Sequence, residues 1–138
     1  MQTGGLSSAQ IFEALSQLRA KWPKRGWSWD HRLTCVASSF SVEIASEARA
    51  AALVALPHEW NHRTVFQAPA PVMEAAETSG GVRTDQFLFS TAAGGRLIAY
   101  GLWWPWGDDT TISLRVGLAG YVGERDLVRL REVFNALE

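Results

Sequence analysis

The run His58-Glu59-Trp60-Asn61-His62 carries the most specific chemistry in this sequence. On a helix, two imidazoles four positions apart share one face, where they can hold zinc while the intervening glutamate activates a bound water. Cys35, the one cysteine of the chain, is a second candidate: a nucleophile if His31, His58 or His62 serves as its base. Asp108-Asp109 is a carboxylate pair of the kind used for metal binding or acid–base work, and Asp30-His31 is a smaller isolated pair. The other concentration of notable side chains suits binding more than catalysis. Trp103, Trp104 and Trp106 crowd together just before the two aspartates, in a chain with seven tryptophans in all. No glycine-rich phosphate loop, nucleophile elbow or paired-cysteine motif is present.

Over those five residues alone, 58–62 resembles the signature of the zincin metallopeptidases. The resemblance implies a zinc-dependent hydrolase with His58 and His62 as ligands and Glu59 as the base. The surrounding sequence departs from that pattern. Pro57 confines the motif to the first turn of any helix, and Arg63-Thr64 follow where a helix would continue into a core. No His-x-x-Gly-x-x-His extension supplies a third ligand. Glu74 and Glu77 lie in an alanine-rich stretch of no clear structure, whereas a catalytic zinc needs three protein ligands and an open position. Residues 57–66 are therefore expected to be a surface loop without metal, and no cofactor is expected. Cys35 lies in the apolar context Leu33-Thr34-Cys35-Val36, which favours a small buried hydrophobe. Asp108 and Asp109 follow Gly107 and read as turn formers.

A β-hairpin from Gly94 to Ala119 must position the tryptophans. Both alternating sets of its first strand, Arg96 to Trp104, are apolar, as in a central strand covered on both sides. Its second strand, Thr111 to Leu118, has one apolar set (Ile112, Leu114, Val116, Leu118) and a wetter one (Thr111, Ser113, Arg115, Gly117). Alternation sends Trp103 and Trp104 to opposite faces, Pro105 interrupts the ladder, and Trp106 falls in the turn.

Elsewhere, Ser7 and Gln10 suggest a capping box before a helix with an Ile11, Phe12, Leu15, Leu18, Trp22 stripe, stopped by Pro23. Trp27 to Trp29 alternates like a strand, and Leu33 to Phe40 continues it or forms another. A helix is expected from about Val42 to Leu56, with Ala45, Ala48, Ala52 and Ala55 permitting close packing. Residues 57–81 are the least legible: Arg63 to Gln67 suits a short strand and Ala68 to Pro71 a break. Val82 to Ala92 reads as a strand, and Leu127, Leu130, Val133, Phe134 and Leu137 mark a closing helix. The fold class is α+β: a single domain, 1–138, whose antiparallel sheet includes a C-terminal three-strand meander packed against about three helices, simplest if all lie on one face.

With 138 residues and 47% apolar content the chain can bury a substantial core. Thirteen basic against fourteen acidic residues give a net charge of −1, without the basic excess of a nucleic-acid binder. Arg19, Lys21, Lys24 and Arg25 cluster where the first helix ends, a place that favours cations, and this structural reading is preferred over phosphate binding. No apolar run is long enough to span a bilayer, and the single cysteine and absence of a signal peptide favour the cytoplasm. These features lead to a non-catalytic protein-binding module, of the adaptor, secretion-chaperone or toxin-neutralising (immunity-type) kind. Its binding residues would be Trp103, Trp104, Trp106, Asp108 and Asp109, and its partner another protein with a basic surface. Two alternatives stand beside it: the zinc hydrolase, and a small-ligand pocket lined by Trp27, Trp29 and Trp60.

Overall fold

Ser7 opens the first helix with a reciprocal cap: its hydroxyl accepts from the Gln10 amide at 3.2 Å, and Gln10 Oε1 accepts from the Ser7 amide at 2.9 Å. The computed structural model describes residues 5–136, and there this cap starts α1 (Ser8–Lys21). Ile11, Phe12, Leu15 and Leu18 are buried along its stripe, and the backbone turns extended at Trp22, ahead of Pro23. A hairpin of β1 (Ser28–Asp30) and β2 (Cys35–Ser41) follows. A single 3-10 turn (Val42–Ile44) then leads into α2 (Ala45–Ala55), whose Ala48, Ala51, Ala52 and Ala55 are buried. Next come β3 (His58–Trp60), a 3-10 turn (Thr64–Gln67) and α3 (Ala70–Thr78). The chain closes with β4 (Phe87–Ser90), β5 (Leu97–Pro105), β6 (Thr111–Gly120) and α4 (Glu124–Phe134).

The strands form one antiparallel sheet in the order β1-β2-β6-β5-β4-β3. The meander β4-β5-β6 is its centre, extended on one side by the β1–β2 hairpin and on the other by β3. With four helices among the described residues this is a small α+β domain. One face of the sheet, built from Val36, Phe40, Phe89, Leu97, Ala99, Trp103, Ile112, Leu114 and Val116, packs against α1, α2 and α4. Phe134 and Leu130 of α4 are buried in this core at 1% and 0% exposure, Leu127 is only half-buried, and Leu137 lies outside the described residues.

The helices are not all on that face. α3 and the 3-10 turn before it bury Val65, Ala68, Val72, Ala75 and Ala76 against Leu88, Ile98, Tyr100, Leu102 and Ala119 on the opposite side. This follows from β5 itself, whose two alternating sets are both apolar and both need cover. Tyr100 lies across Gly117, where a Cβ would meet its hydroxyl oxygen at 2.6 Å. The 57–81 segment departs most from the sequence reading. His58 to Trp60 is a strand and not a loop, Thr64–Gln67 is a 3-10 turn and not a strand, and the alanine-rich stretch is α3. Pro71 occupies its first turn, where a proline needs no amide partner. The strand expected over 82–92 is shorter, Phe87–Ser90, because Gln86 folds back to accept from the Arg83 amide at 2.9 Å.

Candidate functional site

The β5–β6 register decides where the three clustered tryptophans go. Trp103 pairs with Leu114 on the face covered by α1, α2 and α4, and Trp104 pairs with Ser113 on the other. Trp103 is 6% exposed, with ring centroids of Phe40 and Phe89 at 5.5 and 6.1 Å, so its inclusion in a binding surface is corrected: it is a core residue. Trp104 is half-buried, and the guanidinium carbons of Arg115 and Arg83 lie 5.4 and 5.9 Å from its ring centroid, within cation–π reach. Arg115 is held by Asp30, to whose Oδ2 its Nη1 donates at 2.8 Å. Burial pushes the Asp30 carboxyl up, but the Leu33 and Arg32 amides and Arg115 outweigh it and hold the pKa below the ordinary value.

Trp106 is 47% exposed. Its amide donates to the Thr111 carbonyl at 2.8 Å, and its indole N–H donates to Ser113 Oγ at 2.8 Å. Ser113 Oγ in turn shares a hydrogen bond of 2.9 Å with Ser39 Oγ. The indole is thereby folded back over the face that carries Trp104 and tied across β6 to β2. α3 does not cover this half of the sheet: Ser39 and Ser41 are exposed, and Ala37 and Thr111 are half-buried. The result is a platform of two indoles beside a strip of hydroxyls, able to offer apolar contact and hydrogen bonds together.

Asp108 is engaged in the turn: Oδ1 accepts from the Thr110 and Thr111 amides at 3.0 Å, and Oδ2 from Thr111 Oγ1 at 2.9 Å. These bonds, the Thr110 amide foremost, hold its pKa below the usual value. Asp109 is exposed with φ 60, in the left-handed conformation that aspartate tolerates. The pair forms the turn, with Asp108 bonded within it and the Asp109 amide donating to the Trp106 carbonyl.

The remaining candidates come apart. In a strand, His58 and Glu59 point to opposite faces, and Glu59 pairs with Arg49 of α2. His58, Glu59 and His62 therefore share no face. Among the described residues no three His, Cys, Asp or Glu side chains come together in a way that could hold a metal ion. Cys35 is 1% exposed, and burial, with the charge of Asp30, pushes its thiol up to about 11, which disfavours the thiolate a nucleophile needs. Tyr100 is likewise pushed up to about 12 by burial, then by Cys35.

The Trp27, Trp29, Trp60 pocket is also corrected. Trp29 and Trp60 lie on β1 and β3, the two outermost strands, and Trp27 is packed between Trp22 and Phe134 at 5.2 and 4.6 Å. Arg83, Arg115, Ser39 and Ser113 were missed as site residues. The wetter alternating set of β6 was the available signal, because its hairpin register places Ser113 and Arg115 beside the Trp104 face.

No family model matches the chain, and neither the curated proteins nor the solved structures include one significantly similar to it. Among the described residues no helix is long and apolar enough to cross a membrane.

Proposed function

We propose that this chain is a non-catalytic protein-binding module, of the adaptor, secretion-chaperone or toxin-neutralising kind, which docks through Trp104 and Trp106 on the open half of its sheet. One observation carries the reading: Trp106 is half-exposed yet fixed at two points, by its backbone amide and by its indole N–H. A large apolar side chain held in water loses little further freedom when a partner covers it, and tryptophan is enriched among the residues that dominate binding energy. Ser39, Ser41 and Thr111 supply polar contacts beside the indoles, and Asp108 and Asp109 give the tip an acidic rim that favours basic residues on the partner.

The test uses wild-type and Trp106→Ala proteins as baits in cell extract, followed by affinity measurement with the purified partner. The substitution is expected to preserve the fold and weaken binding by about 2 kcal/mol or more, roughly 30-fold. A partner held equally well by both baits sinks the reading. So does an indole at 106 that aqueous quenchers fail to reach in the free protein.

A further inference from the structure

We infer that the cavity at the C-terminal end of α1 is an anion-binding site, one that takes a phosphate or carboxylate group. The cavity measures about 310 Å³ and is lined by Arg19, Lys24 and Arg25 together with Trp22 and Trp27, with no carboxylate in its wall. Gly26, also in the wall, has φ 90, a conformation that glycine adopts without strain.

Two of the three cations are held in place without being neutralised. Arg19 Nη1 donates to the Val133 carbonyl of α4 at 3.2 Å, and Lys24 Nζ donates to the Ser39 carbonyl at 2.7 Å. Each uses one donor of the five or three that it carries. The ion pairs among the described residues are Arg49–Glu59, Arg96–Asp126 and Arg115–Asp30, so none of the three cavity cations has an acidic partner there. Trp27, 8% exposed, contributes its indole to the wall.

The helix dipole does not account for this arrangement. It favours Arg19 and Lys21 in the last turn of α1, but Arg19 bonds a carbonyl of a different helix, and Lys24 and Arg25 lie beyond the helix end. Two cations already held in place lower the ordering cost of capturing an anion, and the combined field of the three favours a doubly charged group over a single one.

The experiment is a titration of tryptophan-labelled protein with pyrophosphate and, separately, with tetraglutamate, at ionic strength held constant by sodium chloride. The Trp27 indole resonance is the readout. One probe or the other is expected to shift it saturably: pyrophosphate marks a phosphate-bearing small molecule, tetraglutamate an acidic protein segment. Lys24→Ala with Arg25→Ala should weaken that binding at least tenfold, while Trp106→Ala leaves it unchanged. If the double substitution disturbs the fold, Arg25→Gln alone, at an exposed position, gives the same reading. A resonance that neither probe moves saturably, or a shift that persists undiminished in the substituted protein, overturns the site.

Discussion

Trp103 and Trp106 lie three positions apart and face opposite fates. Trp103 fills a ring-lined gap between Phe40 and Phe89, and its replacement by alanine leaves a cavity that the sheet cannot collapse into. Trp103→Ala is expected to cost about 3–5 kcal/mol in urea unfolding, and Trp106→Ala less than about 1 kcal/mol. Equal losses at the two positions would contradict the division between core and platform. Alternation along β5 made the opposite faces of Trp103 and Trp104 readable from sequence alone. It did not show which face had a helix over it, because both faces of β5 are apolar. The cation–π neighbours were hidden for another reason: Arg83 lies outside the hairpin that carries Trp104, and Arg115 is held by Asp30, 85 positions away, so only the assembled sheet brings these groups together.

At the scale of elements, Arg96 ties the start of β5 to the first turn of α4. Its guanidinium donates to Asp126 Oδ2 and Oδ1 at 2.8 and 3.0 Å, to the Tyr121 carbonyl at 2.9 Å and to Ser8 Oγ at 2.7 Å. The bond from Arg96, with help from the Gly123 amide, holds the Asp126 carboxyl below its ordinary pKa. A carboxyl whose folded pKa is depressed stabilises the fold above its unfolded value of about 3.9, and that stability is lost as pH falls through the folded value. Asp126→Asn should therefore lower stability at neutral pH and flatten the acid limb of a stability-against-pH curve below about pH 4. An acid limb as steep as that of the wild type would remove Asp126 from this role. Phe134→Ala, on the same helix but facing the core, should cost about 3–5 kcal/mol at all pH values. α4 was legible because its stripe repeats at helical spacing between an acidic start and an asparagine in the left-handed conformation at its end. α3 was not: it is a nine-residue helix entered through Pro69 and Pro71, and prolines that open a helix look in sequence like prolines that break one. β3 was hidden because three residues are too few for a period of two to declare itself.

The whole molecule depends on β6, which joins the β1–β2 hairpin to the rest of the sheet. A fragment ending at Thr110 keeps α1, α2 and α3 but separates β2 from β5, and it is expected to give no dispersed amide spectrum. A folded fragment would show that the hairpin and the β3-β4-β5 half are held by the helices alone. The pairing of Ser39 with Ser113 spans 74 residues, and closing so long a loop must precede any reward from the contacts it permits. On the ribosome the consequence is one of timing. The N-terminal half emerges with one edge of β2 unpaired, and it must wait in that state until β6 has been made. Slow translation of the codons for β6 would prolong that exposure, so the newborn chain depends on chaperones most until β6 has been made.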